Sequence, residues 1–288
     1  MTRGFFLGER MGMRKCLTCL ALPLLAATAT VRAAPVGSSQ LLLKSAAALV
    51  LDQHTGQALM EKHAEAVHPI ASLTKLMTAM VVLDAHLDPD EVLTISNEDK
   101  DTLRHSRSRL PVGTRIPRKQ ALLLALLASE NRAAHALGRT FPGGLPAFVL
   151  AMNEKATSLG LGHSHFVDPS GLSSNNVASA WDLGRILQAA YSYPEIRDFT
   201  TRPQIAIQAG RRAIAFPNTN ALVRGGRWDI GLSKTGYIEE AGRCLVMQAM
   251  LANRPVFIVL LDSWGKYTRL GDAMRIRQWL ERRSTPKR

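Results

Sequence analysis

Hydrophobic and polar positions divide this chain into three regimes: a short strand-like start, a helical middle and a strand-rich end. Residues 45–52, Ser-Ala-Ala-Ala-Leu-Val-Leu-Asp, form an apolar run closed by Gln53-His54-Thr55-Gly56. A run of that length bounded by turn residues predicts a strand, with 57–62 returning beside it as a hairpin. From Leu73 to His86 nearly every position is apolar, which predicts a helix buried on all sides rather than one lying on a surface. An irregular polar stretch follows over 87–115, with a β-like piece at 91–95. A helix is then expected from about Pro117 to Ala128, proline suiting a first helical position. A second short helix should end near Gly138, and the Phe141-Pro-Gly-Gly144 break separates it from an amphipathic helix over 146–159, capped by Gly160. Residues 163–176 read as loop, and Ser179-Ala-Trp-Asp182 as a capping box opening a helix to Tyr191.

From residue 204 the period shortens. Strands are expected over 204–208, 212–216, 231–236, 243–251 and 256–261. A closing helix over 269–283 should bury Leu270, Met274, Ile276, Trp279 and Leu280. Strands at both ends and helices between them predict an α+β fold, an antiparallel sheet flanked by helices plus an all-helical lobe. The sheet lobe would take 45–66 and 204–288, and the helical lobe 67–203. Together they make one catalytic domain over 34–288, with no C-terminal accessory domain expected.

The N-terminus stands apart. Arg14-Lys15 precedes an apolar run from Cys16 to Val31, followed by Ala33-Ala34-Pro35. A basic lead, a short apolar core and small residues at the cut describe a secretory signal peptide over 1–33, cleaved after Ala33. The run is short for a membrane span, which needs about 20 apolar residues. Met11 or Met13 is an alternative start. Removing the leader removes Cys16 and Cys19 and leaves Cys244 alone, so no intrachain disulfide is expected in the mature chain. The expected address is the periplasm, with at most peripheral membrane contact. Apolar residues make up 46% of the 288 and charged residues 20%, enough for a substantial core. The formal net charge of +13 suits an anionic wall polymer or membrane surface. No aromatic-interleaved basic stretch points to nucleic acid.

Three short patterns carry the chemistry. Ser72 and Lys75 lie one turn apart at the start of the buried helix, on one face. There the hydroxyl meets the positive end of the helix dipole, and a desolvated, neutral lysine could take its proton. Alone, this pair equally describes a capping serine beside a solvated lysine. Ser129-Glu130-Asn131 interrupts a helical pattern, as a second polar wall of a site or an ordinary helix–helix turn would. Lys234-Thr235-Gly236 ends a β-like run, Gly236 permitting close approach of a substrate backbone.

In the order Ser-x-x-Lys, Ser-x-Asn, Lys-Thr-Gly, on helix, loop and strand, these patterns resemble the serine penicillin-recognising enzymes. The narrower resemblance is to the D-alanyl-D-alanine carboxypeptidase/endopeptidase family. It also rests on residues 165–172 and Asn218-Thr219-Asn220, and spans about Ser45 to Trp279. The resemblance implies that Ser72 is the acylated nucleophile, Lys75 its base and Ser129 a proton-relay hydroxyl. It implies that Asn131, Lys234, Thr235, Gly236 and Tyr237 bind substrate, with the backbone N–H groups of Ser72 and Tyr237 forming the oxyanion hole. The implied substrates are peptidoglycan peptide stems, with β-lactams as covalent inhibitors and no cofactor or metal. Glu130 stands where glycine is frequent among carboxypeptidases, which resembles the endopeptidase branch; trimming of pentapeptide tails is the alternative.

Three other readings compete. A serine β-lactamase shares the motifs, but its deacylating glutamate has only Glu154 and Glu195 as candidates between the second and third motifs, neither in a Glu-x-x-Leu-Asn context. A zinc peptidase could use His163, His165 and Asp168, without a third histidine at useful spacing. A non-catalytic penicillin-binding wall sensor need not keep both Lys75 and Lys234. Arg254 is the candidate for reading a substrate carboxylate.

Overall fold

The computed structural model describes residues 41–209 and 212–284, so the expected leader, its cleavage site and residues 35–40 lie outside the described residues. In chain order, β1 (Ser45–Asp52), β2 (Ala58–Lys62) and the two-residue β3 (His68–Pro69) lead into α1 (Thr74–Asp84). Then come β4 (Val92–Thr94), β5 (Arg115–Pro117), α2 (Arg118–Leu127), α3 (Asn131–Arg139), α4 (Gly144–Ser158), β6 (Val177–Ala178) and α5 (Ala180–Tyr191). They are followed by α6 (Pro194–Thr201), β7 (Gln204–Ala209), β8 (Arg212–Pro217) and α7 (Ala221–Gly225). The chain closes with β9 (Ile230–Ile238), β10 (Gly242–Leu251), β11 (Arg254–Ser263) and α8 (Thr268–Ser284).

Five strands from the two ends of the chain form one sheet in the order β2-β1-β11-β10-β9. Every pair is antiparallel, Ser45 opposing Ser263 and Lys234 opposing Val246. The inner strands read as unbroken apolar runs because both faces are covered, and period two splits their side chains between two cores. Ala47, Leu49, Leu51, Phe257, Val259 and Leu261 enter the core that holds α1. Ala48, Val50, Ile258 and Leu260 turn the other way, onto Ala273, Ile276, Trp279 and Leu280 of α8. That helix is latched to β1 through Asp272, which accepts hydrogen bonds from the backbone N–H groups of Lys44 and Ser45 and from Ser45 Oγ.

Helix α1 is the axis of the larger core. Thr74 through Val82 are all buried, including the whole of Lys75. The α+β architecture is the expected one. Several details differ. Strands β7 and β8 form their own two-stranded sheet instead of extending the main one. Helices α6 and α7 had no counterpart in the sequence pattern. In α6, only Ile196, Phe199 and Thr200 are buried, and two turns are too few to display a period. Pro117 ends β5 and stands just ahead of α2 with an extended ψ of 147°, so it precedes the first helical position. Met274 is 52% exposed, leaving Ala273 to fill the stripe. Ser179 caps α5 by accepting from the Asp182 N–H, but the Asp182 carboxylate accepts from His163 N–H and Ser164 Oγ instead of closing a capping box.

Candidate active site

Four segments far apart in the chain converge at the N-terminal end of α1. Ser72 lies in a 3-10 turn, Ala71–Leu73, that runs into the helix. Ala71 adopts a left-handed φ of +48°, a conformation that an L-residue holds only when its surroundings fix it. Two glycines do so. A Cβ on Gly171, itself at φ +78°, would lie 1.9 Å from Ala71 O, and one on Gly236 would lie 2.9 Å from Ile70 O and 3.3 Å from Ser72 N. Gly236 therefore makes room for this chain's own nucleophile turn, where the sequence suggested room for a substrate backbone.

Lys75 Nζ lies 2.9 Å from Ser72 Oγ, 2.8 Å from Asn131 Oδ1 and 2.5 Å from the carbonyl oxygen of Ser170. The last two partners can only accept. As an ammonium the group donates to all three; as a neutral amine it keeps two N–H donors for Asn131 and Ser170 and can turn its lone pair to Ser72 Oγ. Burial pulls its pKa from 10.5 to about 7, and the charges of Asp168 and Glu130 hold it from falling further. The site therefore presents a hydroxyl to an amine divided between its neutral and charged forms near pH 7.

The second wall is the α2–α3 junction. Ser129 takes φ +58° and its Oγ accepts a hydrogen bond of 2.9 Å from Lys234 Nζ. Lys234, also fully buried, is held well below the ordinary lysine value, first by burial and then by the charges of Lys75 and Arg269. Asn131 donates to Ser106 Oγ at 3.0 Å. Glu130 is buried; it caps α3 by accepting from Arg132 N–H and accepts a 2.6 Å bond from Ser108 Oγ.

The third wall is β9, an edge strand of the sheet. Thr235 Oγ1 pairs with Thr219 Oγ1 at 2.7 Å, and Thr219 N–H donates to Leu127 O. The Tyr237 ring is exposed beneath the Arg243 guanidinium, 4.5 Å from its centroid. Arg269 donates to Gly236 O at 3.2 Å.

All the residues singled out in the three motifs thus meet at one place, except that the Tyr237 side chain points to solvent. Ser170, Ser106 and Thr219 were missed as partners. Thr219 and Ser170 sit in stretches on which the family resemblance already rested, whereas Ser106 lies in polar sequence with nothing to mark it. Arg254 is excluded as a reader of substrate at this site. It stands at the β10–β11 turn, paired with Asp52 at 3.3 Å, while register puts Lys234 five positions along β10 from its partner Leu251.

Asp168 is an organiser of the loop behind the site. Its oxygens accept from the N–H groups of Ser170, Gly171 and Ser173 and from Asn176 Nδ2. They are spent, and the described residues contain no group of three or more metal-ligating side chains. Glu154 and Glu195 are exposed on α4 and α6, away from the catalytic groups. Cys244 is free and buried, its thiol pushed up to about 12 by burial.

The D-alanyl-D-alanine carboxypeptidase family model, peptidase S11, matches residues 34–265. The chain belongs to this family. It is 48% identical over 241 residues to the D-alanyl-D-alanine endopeptidase of Pseudomonas aeruginosa, covering 83% of this chain and 78% of that protein. It is 42% identical over 274 residues to the D-alanyl-D-alanine endopeptidase of Escherichia coli, covering 94% and 88%. Among solved structures, the DD-transpeptidase of Streptomyces K15 superposes with a TM-score of 0.77 at 27% identity, over 83% of this chain and 97% of that one. The D-alanyl-D-alanine carboxypeptidase of Mycobacterium tuberculosis superposes equally well, at 0.77 and 27%, over 85% and 94%.

Proposed function

We propose that this chain is a serine D,D-peptidase of peptidoglycan that hydrolyses D-alanyl cross-bridges through an acyl-enzyme on Ser72. The observation that carries the mechanism is the buried Lys75 amine 2.9 Å from Ser72 Oγ, with Asn131 Oδ1 and the Ser170 carbonyl oxygen as its other two partners. Lys75 takes the Ser72 proton as Oγ attacks the D-alanyl carbonyl. The oxyanion forms against the backbone N–H groups of Ser72 and Tyr237, a reading supported by the packing of β9 on the nucleophile turn, where a Cβ at Gly236 would come within 3.3 Å of Ser72 N. Ser129, tied to Lys234, relays the proton that Lys75 took on to the departing amine, which leaves Lys75 neutral again. Water then releases the acyl group with Lys75 again as base. Edge strand β9 offers backbone groups to an extended peptide. β-Lactams, attacked at their own amide by the same hydroxyl, are covalent inhibitors.

The endopeptidase reading is supported by the names of the two relatives above and by Glu130 in the second motif. Action on cross-bridges places the mature protein in the periplasm, after removal of residues 1–33. No helix among the described residues is long and apolar enough to cross a membrane. The test is digestion of purified sacculi and of isolated cross-linked dimers. Release of uncross-linked monomers is the expected product; efficient trimming of pentapeptide tails with dimers left whole would replace the endopeptidase reading by carboxypeptidase. Penicillin labelling of Ser72 with no turnover of either substrate would mark a sensor.

A further inference from the structure

A cleft of about 280 Å³ adjoins the second motif, reaching from Ser129 and Asn131 to Phe216, Asn218 and Thr219. Three arginines line it: Arg107, Arg109 and Arg224. Arg118 meets Glu91, Arg139 meets Asp99 and Arg202 meets Asp198, whereas these three, like Arg132 and Arg197, have no carboxylate partner among the described residues. Arg109 donates to the Ala215 carbonyl and Arg224 to the Asn218 carbonyl, both neutral acceptors. Among the described residues no carboxylate pairs with any of the three. The one acidic residue lining the cleft, Glu130, is buried and already engaged by Ser108 and Arg132. The cleft is therefore a concave surface with excess positive charge and unspent guanidinium donors, the arrangement that recognises carboxylates by paired N–H groups.

Position assigns its occupant. Ser129 Oγ is the hydroxyl that serves the departing amine, and the cleft begins at Ser129. In the mechanism proposed above, the acyl carbonyl sits against the Ser72 and Tyr237 N–H groups, and the departing amine lies toward Ser129. We propose that this cleft is a subsite for the free carboxylates of the leaving-side peptide, so that the enzyme selects acceptor stems that are acidic. This rests on the D,D-peptidase reading and adds to it a chemical class for the leaving half of the substrate. Electrostatic recognition at an exposed rim acts on encounter and binding more than on the chemical step.

The test compares cross-linked muropeptide dimers with free leaving-side carboxylates against the same dimers amidated at those groups. The wild-type full chain should cleave the free-acid dimer with a higher kcat/KM, mostly through KM, and added salt should erode the preference. In R107Q/R109Q/R224Q the preference should collapse while the rate of Ser72 acylation by penicillin is kept. Arg107 is exposed and makes no hydrogen bond among the described ones, so R107E reads the same effect in a variant with nothing structural to lose, and R107K should restore part of it. Equal kcat/KM on both dimers in the wild type, or an equal loss on both in the variants, overturns the proposal. Failure of the underlying reading is distinct: the wild type would then show no penicillin adduct on Ser72.

Discussion

Asn131 Oδ1 stands 2.8 Å from Lys75 Nζ, so the amide of the second motif holds the base of the first. An amide oxygen there accepts without adding charge. Asn131→Asp would set a carboxylate against the amine and favour its protonated form, raising the Lys75 pKa above 7. Acylation by penicillin at pH 7 should fall, and the rise of rate with pH should move to more alkaline values. An unchanged pH profile in this variant would show that the contact does not control the base.

The wild type itself makes a prediction of sign. The folded pKa of Lys75 is lowered from 10.5 to about 7, so the amine is protonated below that pH and free above it. The acylation rate should climb between about pH 6 and 8 and level off beyond, with its midpoint near 7. Lys75→Arg should lose acylation, because arginine stays charged throughout this range.

Gly236→Ala tests the packing of the nucleophile turn. The added Cβ would meet Ile70 O at 2.9 Å and Ala71 Cβ at 3.2 Å, both in a turn fixed by buried backbone. Overpacking of this kind costs about 1–3 kcal/mol. Denaturant unfolding should report that loss, and acylation should slow in the protein that remains folded.

Ser72→Ala should abolish the covalent penicillin adduct, read by mass spectrometry of the intact protein. Ser72 is only partly buried and makes its side-chain contact with Lys75, so stability should move by no more than roughly 1 kcal/mol. An adduct formed at normal rate would remove Ser72 from the mechanism.

What the sequence shows and what it hides follow from length scale. β1 emerged at its observed bounds because an eight-residue apolar run between polar turns has few alternatives. The burial of α1 was legible for the same reason. Two of the motifs lie at element boundaries, Ser72 just ahead of α1 and Ser129-Glu130-Asn131 between α2 and α3, whereas Lys234-Thr235-Gly236 lies within β9, which runs past its expected end at Gly236 to Ile238. The hairpin β7–β8 has the period of a sheet strand, and nothing in 204–217 says which sheet it joins. Gly236 could be marked as a place of close approach, but only the fold reveals that the neighbour is Ala71. Arg254 illustrates the limit of register: its strand was correctly recognised, yet a shift of a few residues along that strand carries it out of reach of the serine. The arginine cleft gathers positions 107, 109 and 224, which no local pattern joins.

The opposition of Ser45 and Ser263 across β1 and β11 has a consequence for the life history of the molecule. The first strand to leave the ribosome finds its long inner partner only after more than two hundred further residues have followed. Closing so long a loop is slow, and the pairing is rewarded only at its end. Until then α5, which packs on β1, β10 and β11 and carries α1 on its other side, has no complete sheet beneath it, and the burial that lowers the Lys75 pKa is not in place. A chain cut before β11 is therefore expected to lack the buried, pKa-lowered Lys75 of the complete fold.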